Sequence, residues 1–131
     1  LIINIIRRTE MKLVISSTKT LNKESAYIKN YIDIHYATNI TLDSLAALTY
    51  MNKYYMVHAF KRCFGTSTIN YLIDKRINEA KILLETTNYS IAQISDMVGF
   101  SNQSYFCQAF KRTLKVSPNS FRKGIGKQND L

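Results

Sequence analysis

Acidic residues are scarce in this chain, with nine Asp and Glu against 18 Lys and Arg among 131 residues, a formal charge of +9. Glycine occurs only at positions 65, 99, 124 and 126, too few and too scattered for a glycine-rich phosphate loop. The two cysteines, Cys63 and Cys107, show no paired metal-ligand spacing, so they read as reduced thiols of a reducing cytoplasm rather than a disulfide framework. His58 lies little more than a helical turn from Cys63, but two groups do not make a zinc site. No Ser/His/Asp constellation suggests itself, so an enzyme, a metal and a cofactor are all unexpected. No apolar run approaches the roughly 20 residues that span a bilayer, and no secretory pattern is present.

What is present is apolar content of 46%, enough for one domain or for two lobes sharing a long helix. The positive charge predicts attraction to a polyanion without separating nucleic acid from an acidic membrane surface. Its distribution says more. Residues 44–73 hold Lys53, Lys61 and Arg62 with no acid, and residues 97–129 hold six basic residues with none.

The chain also repeats itself. Ala59-Phe60-Lys61-Arg62 recurs as Ala109-Phe110-Lys111-Arg112, and Thr41 to Thr49 corresponds to Ser90 to Val98. The offset is 49 up to the pair Asn52 and Ser101, and 50 from Tyr55 and Tyr105 onward, so one residue has been added near the turn of the second copy. A helix-turn-helix absorbs such an insertion in its turn without rotating either apolar face. Two copies fit a paired module better than a solenoid, which needs about three or more units.

Start and stop signals predict seven helices, with weak strand signals throughout. The first runs from Lys23 to Ala37 behind Asn22 as N-cap, and Thr41 opens the second. Asn52 caps the third, which turns Met56, Ala59, Phe60 and Phe64 inward before Gly65 ends it. Ser67 caps a long helix, from about Thr68 to about Thr87, that buries Leu72, Ile73, Ile77, Ala80, Leu83 and Leu84. Ser90 and Gln93 make a capping box for the fifth, which stops at Gly99. Ser101 caps the sixth, with Tyr105, Phe106, Ala109, Phe110 and Leu114 on its apolar side, and Ser117-Pro118 starts a short seventh through Phe121.

In a helix-turn-helix the second helix enters the major groove, which requires one apolar and one polar or basic face. On the third helix the outward candidates are Lys53, Tyr54, Val57, His58 and Lys61; on the sixth they are Gln103, Ser104, Cys107, Gln108 and Lys111. Gln reads adenine edges, Ser contacts either base type, and apolar groups pack on thymine methyls. With no central outward Arg, shape and A·T-rich features are expected to carry more of the specificity. A linker of some 20 residues spans about 30 Å, close to the roughly 34 Å between successive major-groove faces, so one monomer can grip two turns. Bland alternatives stand beside these: Phe60 and Phe110 read as core, the Lys-Arg pairs as a solvated face, and Cys107 as a small side chain without special reactivity.

The run Ile94 to Phe100 with Val98-Gly99-Phe100, then Ser104-Tyr105-Phe106, Phe110-Lys111-Arg112, Ser117-Pro118 and Phe121-Arg122, resembles the C-terminal signature of AraC/XylS-type transcription regulators. The first unit is similar in Leu45-Ala46, Phe60-Lys61-Arg62 and Gly65, and Arg76-Ile77-Ala80-Leu83-Leu84 resembles that family's linker helix. The resemblance covers residues 22 to 124 and implies an all-α fold of two helix-turn-helix subdomains, 22–66 and 89–124, joined by a linker helix at 67–88. Residues 125–131 would be a flexible tail. Residues 1–21 read either as the tail of a missing upstream domain with its linker, or as an N-terminal helix on its own lobe.

By that resemblance Tyr54, Val57, His58, Gln103, Ser104, Cys107 and Gln108 would touch bases, and Lys53, Lys61, Arg62, Ser101, Lys111 and Arg112 would touch phosphates. It further implies double-stranded promoter DNA as partner, RNA polymerase beside it, an N-terminal effector or dimerisation domain, and an activating role. Tyr50 and Met51 depart from the family's usual glycine and aromatic, and Lys115 from a usual glycine. The rival reading is a basic helical module that binds RNA or an acidic protein; a membrane-surface role is disfavoured because the basic residues are split between two helices.

Overall fold

The computed structural model describes residues 22–129, and the expectations for residues 1–21 lie outside that range. Among the described residues every regular element is helical: α1 over 22–35, α2 Leu42–Thr49, α3 Lys53–Phe64, α4 Thr68–Thr86, α5 Ile91–Met97, α6 Gln103–Leu114 and α7 Pro118–Asn129. The described residues form two compact units, one from residues 22–31 with 41–68, the other from 32–40 with 69–129. By its packing, the helix predicted as a linker is therefore almost wholly part of the second unit.

In the first unit, Ile28 of α1, Leu45 and Ala46 of α2, and Met56, Ala59 and Phe60 of α3 are buried, while Phe64 is half-buried with its ring 4.9 Å from that of Phe60. Thr41 Oγ1 accepts from the Ser44 amide and Ser44 Oγ accepts from the Thr41 amide, both at 3.0 Å, so α2 starts on a reciprocal capping box. Asn52 Oδ1 accepts from the Tyr54 amide at 2.8 Å and caps α3, which ends at Gly65 in the left-handed region. Asn22 does not cap α1 as expected. It is already helical, and its Oδ1 accepts from Cys63 Sγ at 3.0 Å, tying α1 to the end of α3.

The second unit has a contiguous core of Ile73, Ile77, Ala80, Leu84, Ile94, Val98, Phe100, Phe106, Ala109 and Phe110, with Leu83, Leu114 and Phe121 packed against it. Successive ring centroids from Phe100 to Phe106, Phe110 and Phe121 are 5.2, 5.9 and 5.7 Å apart, the tilted and edge-on spacing aromatic pairs prefer. Ser90 and Gln93 form the expected capping box.

The start of α6 differs from expectation. Asn102, not Ser101, is the N-cap, and its Oδ1 accepts from the Tyr105 amide at 2.7 Å. Asn102 thus corresponds to Asn52, and Ser101 is the inserted residue, because a short acceptor must stand where it can reach the first free amides of the helix. α7 also runs past the predicted end at Phe121, through Gly124, to Asn129, so most of the expected tail is helical. Pro118 after Ser117 starts it, and Ser117 Oγ accepts from the Ser120 amide at 3.1 Å.

Two arginines hold this unit together. Arg76, only 8% exposed, donates to the carbonyls of Tyr36 and Thr38 at 2.7 and 2.9 Å and lies 5.6 Å over the Phe100 ring. Burial pulls its guanidinium pKa below the ordinary value, and the two carbonyls replace the water it has lost. Arg122 donates to the carbonyls of Tyr89 at 2.7 Å and Thr87 at 3.3 Å, with a longer contact to Leu84 at 3.5 Å. That fork takes up carbonyls left over where α4 ends.

Two backbone positions generate opposite stability predictions. A Cβ on Gly99, at φ +99°, would lie 2.8 Å from the Tyr36 carbonyl oxygen and 2.9 Å from Ala37 Cα. Gly99→Ala should lower stability by about 2 kcal/mol or more, read as a falling denaturation midpoint. Lys115 ends α6 at φ 67°, where the first unit uses Gly65. Lys115→Gly should raise stability by about 1 kcal/mol in the same measurement, and a lower midpoint would contradict this account of the helix end.

Candidate nucleic-acid interface

The buried stripes of α3 and α6 decide which residues those helices present outward. Met56, Ala59 and Phe60 face inward on α3, so Tyr54, Val57, His58 and Lys61, spaced i, i+3, i+4 and i+7, form the opposite face. Phe106, Ala109 and Phe110 do the same on α6 and turn out Ser104, Cys107, Gln108 and Lys111. Position for position the two faces correspond at an offset of 50 residues.

On α3, Tyr54 is 66% exposed and His58 is exposed, with ring centroids 4.3 Å apart; Tyr55 meets Tyr54 edge-on at 5.7 Å. On α6, Gln103, Ser104 and Gln108 are exposed, and among the described residues their side chains make no hydrogen bond to the chain. Val57 and Cys107 are half-buried, and Cys107 packs on the core of its unit, so each offers only part of its surface.

The basic candidates fare unequally. Lys61 and Arg62, and likewise Lys111 and Arg112, are exposed in the last turns of their helices, where they also offset the partial negative charge of the helix end. Ser101 is exposed in the turn ahead of the α6 cap. Lys53 Nζ stands 3.1 Å from Asp43 Oδ1, a partner in the first turn of α2. Sequence reasoning missed that competition because the partners sit on different helices. Lys115, which the sequence marked only as a departure from a usual glycine, adds an exposed cation beyond Arg112 and donates to that residue's carbonyl at 3.1 Å.

In each unit a capped short helix, a tight turn and a capped second helix with one buried and one polar face are in place, which defines a tandem helix-turn-helix domain. Comparison with known proteins agrees. A family profile described as a helix-turn-helix domain matches residues 45–124. The arabinose operon regulatory protein of Escherichia coli K12 is 37% identical over 103 residues, covering 77% of this chain and 35% of that protein. The regulatory protein PocR of Salmonella typhimurium is 33% identical over 99 residues, covering 76% and 33%. Among solved structures, the C-terminal domain of AraT, a response regulator from Geobacillus stearothermophilus, superposes with a TM-score of 0.75 at 32% identity, covering 77% of this chain and 84% of that one. The DNA-binding domain of AdpA, a global transcriptional factor solved in complex with a target DNA, superposes with a TM-score of 0.77 at 25% identity, covering 82% and 96%. The chain belongs to the AraC/XylS family of helix-turn-helix regulators. It spans about a third of the length of the two curated relatives.

The ion pair at Lys53 generates a test of the surface charge. Asp43→Asn removes one negative charge and frees Lys53, so binding to a random-sequence duplex should tighten. The slope of log affinity against log salt should steepen by about 0.9, the signature of one further phosphate contact. An unchanged slope would mean that Lys53 faces away from the polyanion.

Proposed function

We propose that this chain is the DNA-binding part of a transcription regulator of the activating kind, which reads double-stranded promoter DNA by placing α3 and α6 in adjacent major grooves. The observation that carries the proposal is the duplicated, outward polar face on two helices whose surroundings carry almost no acid. Tyr54, Val57 and His58 on α3, and Gln103, Ser104, Cys107 and Gln108 on α6, are the base-contacting set. Lys61, Arg62, Lys111 and Arg112 hold phosphates, with Ser101 and Lys53 at the edges of the two faces. No step of this function requires catalysis, a metal or a cofactor.

The name of the AdpA complex supports the reading, since a chain of the same fold was solved with target DNA. The greater length of the relatives is consistent with a further domain; in this reading it lies upstream and supplies effector binding or dimerisation, RNA polymerase is the protein partner at the promoter, and the cytoplasm is the site of action.

Alanine substitution separates the two kinds of contact. Gln108→Ala should relax preference at one base position, with a loss of about tenfold against the preferred duplex and little change against a scrambled one. Lys111→Ala should weaken both duplexes alike and reduce the salt slope by about one. A gel-shift titration over several salt concentrations reads both. Equal binding of preferred and scrambled duplexes by the parent chain would favour an RNA or acidic-protein partner instead.

A further inference from the structure

Resting on the DNA-binding reading above, we infer that the two second helices discriminate bases by different chemistry. α3 recognises thymine methyl groups by apolar contact through Tyr54, Val57 and His58, and α6 recognises adenine by hydrogen bonding through Gln108 and Ser104. The comparison is controlled by the repeat, because the residues occupy matching positions: Tyr54 with Ser104, Val57 with Cys107, and His58 with Gln108.

On α3 the rings of Tyr54 and His58 lie 4.3 Å apart, and Tyr55 buttresses Tyr54 edge-on at 5.7 Å. The half-buried isopropyl group of Val57 lies on the same outward face. The nearest cation on the N-terminal side of that face, Lys53, is held by Asp43 at 3.1 Å. The faces of these rings and the Val57 isopropyl group match the one apolar group exposed in the major groove, the C5 methyl of thymine, while the Tyr54 hydroxyl and the His58 nitrogens lie at the ring edges.

On α6 the same positions carry Ser104 and Gln108, both exposed and with no side-chain hydrogen bond to the chain among the described residues. The Gln108 carboxamide carries a donor and an acceptor side by side. That pattern complements N7 and N6 of adenine, and no other base presents it in the major groove. The two halves of the binding site therefore depend on different atoms of an A·T pair, and each atom can be deleted from the DNA without touching the protein.

The test uses the full chain and a duplex enriched by it from a randomised pool, with the halves assigned by which part of the footprint weakens on Lys61→Ala and which on Lys111→Ala. Deoxyuridine in place of thymine removes the methyl; 7-deazaadenine removes N7. Deoxyuridine in the α3 half should weaken binding about fourfold per contacted methyl, the value of burying one such group, and should have little effect in the α6 half. 7-Deazaadenine should show the reverse pattern, with a loss of about tenfold in the α6 half. Tyr54→Ala should shrink the deoxyuridine effect at the methyl that Tyr54 contacts and Tyr54→Phe should retain it, which separates ring contact from the hydroxyl. Equal effects in both halves, no effect of either analogue, or an α3 half without thymine would overturn the inference while leaving DNA binding intact. Failure to enrich any duplex would overturn the DNA-binding reading and the inference together.

Discussion

The rotation of α3 and α6 about their own axes is the constraint on which the surface depends. A helix that buries residues i, i+3 and i+4 has no freedom left in the direction it turns its other side chains. Met56, Ala59 and Phe60 set that rotation in the first unit, and Phe106, Ala109 and Phe110 set it in the second, with their largest side chains fully buried. Each buried Phe contributes roughly 1.5–3 kcal/mol relative to exposure, so turning either helix would cost more than any single surface contact returns. Because the same small and large residues recur at the same positions, the two outward faces are aligned residue by residue although their chemistry has diverged.

That divergence extends to the turns. Gly99 is required where it stands, because the backbone of residues 36 and 37 lies where its Cβ would be. The corresponding Tyr50 also adopts a left-handed conformation, at φ 56°, but is 96% exposed, so a side chain is accommodated and only the local backbone cost remains. At the ends of the second helices the assignment reverses, with Gly65 in the first unit and Lys115 in the second. Each unit therefore carries one relaxed glycine and one strained residue in the left-handed region, at different corners.

The positive charge divides into two populations for a comparable reason. Arg76 and Arg122 are spent on backbone carbonyls within the second unit, where helix ends and a turn leave acceptors to be satisfied. Lys61, Arg62, Lys111, Arg112 and Lys115 remain exposed. Net charge alone could not make this distinction, since a guanidinium counts the same whether it closes a helix end or faces solvent.

The amino-acid sequence by itself determined the helical class, the duplication, the inward stripes, the helix start at Thr41 and the capping box at Ser90, because all of these are local and written in periodicity and short-range hydrogen bonding. It also determined which residues would lie on the outward faces, since the outward set follows once the stripe is known. Tertiary structure alone decided that Asn102 and not Ser101 caps α6, where the inserted residue sits, that Asn22 bonds to Cys63, that Lys53 is engaged by Asp43, and that Arg76 and Arg122 are internal. Each of these turns on groups brought together from distant parts of the chain, or on a one-residue choice between adjacent caps that only the position of the helix start resolves.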